Sequence, residues 1–290
     1  MLLRRLIWTA LALALAVGSA QALLQQWLAV PLILAAEVFE DAPTPTATPA
    51  PPPAHGEPGH DHAIHHDPAL FAAGAEDTAH VDEHEHDEEA WAPADGAERT
   101  FWTWVASVLD TLALTLLALA AMAGTVLLAK QRQQTPLRAL PLGLLVGAAG
   151  WFSLHLWPTL GLPAELPGMQ AADLAARQGW WLLTVVCAAT ACSLAGLARG
   201  HWRWLAAVAL LTLPHLAGAP HVGDAFAEFG PEPRARMEVL EQQFHTITHV
   251  LALTQWLGIG LIGGLLFGRW VEPALVQPSG APATPAPQGR

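Results

Sequence analysis

The sequence is short of charge: Asp, Glu, Lys and Arg make up 13% of 290 residues, against 53% hydrophobic residues. That is about half the charged share of a soluble globular chain, too little to cover a water-facing surface of this size. Basic residues are scarce, 13 Lys and Arg in all, and none forms a stripe that would neutralise phosphates, which excludes nucleic acid as a partner. Cysteine is confined to Cys187 and Cys192, five positions apart in one apolar run and so on different faces of a helix. Such thiols pack as small hydrophobes and carry no assigned chemistry. A phosphate-cradling Gly-rich loop, a Gly-x-Ser-x-Gly elbow and a His-Glu-x-x-His run are all missing. The chain therefore reads as neither an ATPase nor another enzyme, with no tightly bound cofactor. Any transport it performs draws on a gradient or on a separate partner.

What the sequence has is apolar runs of the length that crosses roughly 30 Å of hydrocarbon. The first extends from Leu6 to Leu34, and five more cover Phe101–Ala129, Leu140–Trp157, Gly179–Leu197, Trp202–Ala219 and Phe244–Phe267. They predict an all-α, polytopic integral membrane protein with about six transmembrane helices, embedded in a lipid bilayer. Arg4-Arg5, the following apolar run and Ala20-Gln21-Ala22 also fit a secretory signal with its cleavage site, which would leave five spans. A secretory apolar region is normally about 7–15 residues, and this one is longer, which favours an uncleaved first helix. The run at 202–219 is short, and Pro214 predicts a kinked or broken end.

The net charge of −12 is concentrated in one segment, since Asp41 to Glu98 holds 14 acidic residues and no Lys or Arg. The chain divides accordingly: 1–41, a first helix and its extension; 42–98, a loop; 99–270, a five-helix membrane domain; 271–290, a Pro- and Ala-rich tail. The loop begins with the Pro/Thr/Ala stretch Pro43 to Pro53, which cannot hold a helix. It continues through His55, His60, His62, His65, His66, His80, His84 and His86 among Asp and Glu. Low hydrophobicity and high charge predict disorder for the loop, and its Pro/Ala composition predicts the same for the tail. With the N-terminus inside, nine Lys and Arg fall on inner segments and four on outer ones. That distribution predicts cytoplasmic termini and an extracytoplasmic loop, periplasmic where an outer membrane exists.

Imidazoles with interleaved carboxylates suit transition-metal ions, so the loop reads as a low-specificity antenna preferring Cu²⁺ and Ni²⁺ over Co²⁺. A second set of polar groups lies at the outer ends of the later helices. His155 precedes Pro158, and Glu165 stands in Gly161-Leu-Pro-Ala-Glu-Leu-Pro-Gly168. Asp173 and Arg177, four apart, are expected to pair on one helical face. His215 and His221 flank the break at Pro214, where freed carbonyls must line protein or water. His245 and His249 share a face of the last helix. Asp110 lies deep in the second span, a functional-site candidate by default, and Glu37 ends the first.

These motifs resemble those of the CbtA family of predicted cobalt transporter subunits. The resemblance rests on Leu160-Gly-Leu-Pro-Ala-Glu165-Leu-Pro-Gly168-Met, Ala172-Asp173-Leu-Ala-Ala-Arg177-Gln-x-Trp-Trp181 and Leu213-Pro-His215-Leu-x-Gly218-Ala-Pro-His221. It extends to Trp91-x-Pro-x-Asp-Gly96-x-Glu98-Arg99 and Pro31-Leu-Ile-Leu-x-Ala-Glu37-Val-Phe-Glu40, in order from residue 1 to about 270. It implies Co²⁺ uptake feeding cobalamin synthesis, with a small single-span partner, CbtB, in the bacterial inner membrane. By motif position it carries over Glu37, His155, Glu165, Asp173, His215 and His221 as metal-handling residues, while Asp110, His245 and His249 stand on the residues alone. The expected function is a Co²⁺ permease subunit whose loop collects the ion for a cluster of His155, Glu165, His215 and His221. A nickel or zinc permease, and a non-transporting metal-binding or sensing protein, are the competing readings.

Overall fold

The computed structural model describes residues 2–40, 93–94 and 96–276. The histidines of the loop, His55 to His86, the Pro/Thr stretch and the tail beyond residue 276 lie outside the described residues.

Every regular element among them is helical. In chain order these are α1 (Leu2–Leu28), α2 (Val30–Glu40), α3 (Ala97–Gln131), α4 (Ala139–Trp151), α5 (Trp157–Thr159), α6 (Leu174–Leu197), α7 (Trp202–Ala217), α8 (Pro231–Leu266) and α9 (Glu272–Val276). Two π turns, Phe152–Leu156 and Phe267–Val271, join α4 to α5 and α8 to α9. Five of the resulting units are long and apolar enough to cross a membrane: α1, α3, Ala139–Thr159, α6 and Pro231–Val276. The remaining expected span, Trp202–Ala219, forms as α7, whose 16 residues reach about 24 Å, short of the ~30 Å of hydrocarbon. It still matches α6 from end to end. Arg203 near its start donates to Ala198 O beside the last turn of α6 (2.7 Å), and Trp180 near the start of α6 donates to Pro214 O (3.0 Å).

One end of the bundle gathers the basic residues, and the contacts explain what they do there. Arg5 donates to Trp270 O, Lys130 to Leu275 O and Arg132 to Leu197 O. Lys130 and Arg132, on the last carbonyls of α9 and α6, satisfy groups that have no intrahelical donor and complement the helix dipole. Helical order also continues through Val271 and Glu272–Val276, six residues into the segment assigned to the tail.

Packing is tight along two seams. A Cβ on Gly18 of α1 would stand 2.8 Å from Val108 Cα of α3. On α4 and α8, Gly143 and Gly147 face Gly260 and Gly264. A Cβ at Gly147 would come 2.8 Å from Trp256 O, and one at Gly264 3.0 Å from Ala139 O. Helices in lipid gain nothing from hiding apolar surface from water, so small residues that let backbones touch are what hold them together. The residues around the candidate cleavage motif are themselves core contacts, with Gln21 and Ala22 buried. Large apolar side chains such as Leu205, Leu216 and Leu182 point outward, as lipid-facing surfaces require.

At the end opposite the basic residues, α8 runs past the bundle. Its 36 residues span about 54 Å. Ala36, Leu166, Phe226 and Met237 form a small separate core there, the outer cap, drawn from α2, the segments before α6 and before α8, and the first turns of α8.

Candidate functional site

Pro158 shapes the end of α4. It has no N–H to donate, and its ring collides with the carbonyl four residues back, that of Leu154. The chain answers with the wider π turn over Phe152–Leu156, a distortion that often marks functional positions. His155 sits in that turn and faces α8. Its Nε2 lies 2.8 Å from His249 Nδ1, with the two rings edge to face at 4.8 Å. One of these nitrogens carries the shared proton and the other accepts it.

His249 belongs to a line of donors. Glu241, His245 and His249 recur every four residues and share one face of α8. His245 Nε2 donates to Ala164 O at 3.0 Å and lies 3.9 Å from a Glu241 carboxylate oxygen. All three are half-buried. The line begins in the cap and ends at His155, a run of about 12 Å.

His215 stands on the other side of α4. It lies between the rings of Trp157 and Trp180, 5.2 and 5.6 Å away and edge to face with both. Trp157 donates to Leu211 O and Trp180 to Pro214 O, both at 3.0 Å. The two indoles thus tie down the turn around Pro214. His215 Nε2 is buried with no hydrogen-bond partner among the described residues. His221 is exposed.

The carboxylates divide by partner. Glu37 takes Arg99 through both oxygens, and Glu165 pairs with Arg177. Asp173 does not pair with Arg177 as expected, because it lies one residue before α6 and its Oδ1 accepts from Ala176 N–H (2.8 Å), an N-cap. In the cap, Asp224 accepts from Phe226 N–H and from Arg234, and these bonds hold its carboxyl below the usual carboxylate range. Deep in α3, Asp110 Oδ2 accepts from Gln255 Nε2 of α8 at 2.9 Å.

The single cluster expected from His155, Glu165, His215 and His221 does not form. His155 and Trp157, two residues apart, point to opposite sides of α4, so His155 meets α8 while Trp157 meets His215 of α7. The carboxylates of Glu37 and Glu165 are engaged by arginines, and Asp173 closes a helix end. Among the described residues no group of three His, Cys, Asp or Glu converges on a point that would hold an ion. His249 and Glu241 belong with His155 and are absent from the motif-based set. The four-residue spacing of His245 and His249 was visible, but not that they turn to different partners.

No curated protein and no solved structure matches the chain. The family comparison agrees with an all-helical membrane bundle: the sequence model of CbtA, described as a probable cobalt transporter subunit, matches residues 3–268, and the chain belongs to that family.

Proposed function

We propose that this chain is the membrane-embedded subunit of a Co²⁺ uptake system, in which the ion passes from Glu241 and His245 down α8 to the His155–His249 pair. The observation that carries this reading is the 2.8 Å separation of two imidazole nitrogens at the foot of a line of donors. Two nitrogens about 2.1 Å from one ion, in adjacent coordination positions, stand ~3.0 Å apart. An ion that displaces the shared proton therefore finds two ligands near the right spacing. Two imidazoles without thiolates bind a borderline ion weakly enough to release it, which conduction requires.

In this reading the basic end faces the cytoplasm of a bacterial cell, and the histidine loop, 55–86, collects ions on the periplasmic side and hands them to the cap. The imported Co²⁺ supplies cobalamin synthesis, and a small single-span subunit like CbtB assists. Glu37, Glu165 and Asp173 shape the cap through their arginine and helix-cap contacts, and His215 and His221 hold the end of α7 and its approach.

Labelled Co²⁺ uptake, with Ni²⁺ and Zn²⁺ as competitors, tests this in a cobalt-uptake-deficient host expressing the chain with and without the small subunit. Saturable uptake that survives excess Zn²⁺ and falls sharply in His155→Ala/His249→Ala is expected. Uptake unchanged by that double variant removes the pair from the path. Preference for Ni²⁺ or Zn²⁺ changes the cargo. Metal binding without accumulation under either condition makes this a non-transporting metal-binding protein.

A further inference from the structure

Asp110 is out of keeping with everything around it. Between Arg99 and Lys130 it is the one charged side chain of α3. Helices crossing a membrane turn such groups toward the bundle interior or a watery cavity, yet Asp110 is exposed on the bundle surface. It lies six residues beyond Trp104, about 9 Å deeper along the helix.

An ionised carboxylate facing hydrocarbon has two ways out, a cationic partner or a proton. The first is closed among the described residues. α1 has no charged side chain between Arg5 and Glu37, and α8 has none but histidines between Glu241 and Arg269. α6 carries none between Arg177 and Arg199, α4 has none, and the π turn after it offers only His155, which is engaged with His249. The groups that meet Asp110 are Gln255 and, through it, Thr111.

That arrangement suits a carboxyl that changes state. The Thr111 hydroxyl donates to Ser107 O at 2.7 Å, so toward Gln255 it can only accept. The amide NH₂ of Gln255 is thereby fixed on the side facing both Thr111 Oγ1 (3.2 Å) and Asp110 Oδ2 (2.9 Å). Oδ2 accepts from that NH₂ whether the carboxyl is charged or neutral, and Oδ1 remains to take or release a proton. Two turns further along the same face of α3, Leu117, Ala121 and Gly124 line a separate groove of about 500 Å³ between α3, α4 and α6. Thr125, Ser153 and Ser193 line it too, and it extends to Leu137 and Leu197 at the basic end.

We infer that Asp110, held by Gln255, is a membrane-embedded proton-binding site that loads and releases a proton as the ion moves along α8. The coupling rests on the uptake reading above; proton binding at Asp110 does not. Gln255 follows His249 by six residues on α8, so the proton site and the imidazole pair ride on one element.

The test uses the full chain in proteoliposomes treated with dicyclohexylcarbodiimide at a series of pH values, followed by peptide mass spectrometry. Only the protonated acid adds across the carbodiimide N=C bond, its proton going to nitrogen with no leaving group. An adduct at Asp110 that fades as pH rises, and is absent in Asp110→Asn, is expected. Stimulation of Co²⁺ uptake by an imposed pH gradient should be lost in Asp110→Asn and kept in Asp110→Glu. No adduct at Asp110 at any pH overturns the proton site. Gradient-stimulated uptake that persists in Asp110→Asn overturns the coupling. A wild-type chain that takes up no Co²⁺ while Asp110 still labels in a pH-dependent way defeats the uptake reading and leaves the proton site standing.

Discussion

The two halves of the α4–α8 seam are made by the same pair of helices and are built on opposite principles. Toward the basic end, Gly143, Gly147, Gly260 and Gly264 bring the backbones into contact, with no room for a methyl group. Toward the other end the π turn swings the chain open and fills the gap with His155 and His249. The glycine half cannot move without breaking contacts, because what each helix meets is main chain. The histidine half is joined by one proton shared between two side chains, and in the proposed path an ion takes that proton's place. A fixed seam below an adjustable one lets a small change at the imidazoles occur on a scaffold that keeps its register.

The comparison breaks most severely at the glycines. In Gly147→Leu the new side chain meets the Trp256 carbonyl and the backbone of Gly260. The loss should reach or exceed the ~1–3 kcal/mol of ordinary overpacking, since a backbone and not a side chain must yield. Size-exclusion profiles and thermal midpoints in detergent should show little correctly assembled protein. A well-behaved Gly147→Leu protein would mean that the seam is not closed in the membrane.

His249→Ala tests the other half and should do the reverse. It leaves the glycine contacts alone, so the thermal midpoint should barely move. Co²⁺ binding measured by calorimetry should weaken by roughly tenfold or more, the scale seen when even supporting groups at metal sites are removed. Equal losses of stability and binding would contradict the division between halves.

A smaller effect is expected beside the seam, at the clamp on α7. Trp157→Phe keeps the ring against His215 and deletes the N–H that serves Leu211 O. Losing that second donor to a helix carbonyl should cost about 0.5–1.5 kcal/mol, seen as a lowered thermal midpoint with Co²⁺ binding at the imidazole pair retained. Loss of that binding would show that His155 and His215, on either side of the turn after α4, act together.

Much of this was legible in the sequence because lipid leaves little choice. A run of about 20 apolar residues becomes a helix since no other conformation of a single segment satisfies its backbone there. The runs at 101–129 and 179–197 accordingly form α3 and α6. Pro214, expected to kink or break its span, lies inside α7, which runs on to Ala217, and Pro158 stood beside the π turn without announcing it, because a proline fixes what is lost but not how the preceding turn adapts. The site was less legible. Motif order gave His155 and His215 as neighbours, whereas facing across helices depends on rotations that local sequence does not encode. The partners of Glu37 and Glu165 are arginines 62 and 12 positions away in sequence, and the sequence pattern had instead offered Asp173 to Arg177.

The smallest expected effect lies where α8 leaves the seam for water. Asp224 is held below the usual carboxylate range first by the N–H of Phe226 and then by Arg234 on the first turn of α8. A carboxyl whose folded value is depressed stabilises the fold above its unfolded value, about 3.9, and loses that contribution as pH falls through the folded value. The cap should therefore loosen below roughly pH 4, while the glycine seam, which has no titrating group, should not respond. Because Asp224 is solvent-exposed, water and salt screen much of the effect. Asp224→Asn should flatten the acid limb of cap protection in hydrogen exchange of the segment before α8, leaving exchange in α4 and the middle of α8 unchanged. If acid loosens the seam and the cap together, the outer part of α8 does not open independently, and the contrast between a fixed half and an adjustable half ends at the imidazole pair.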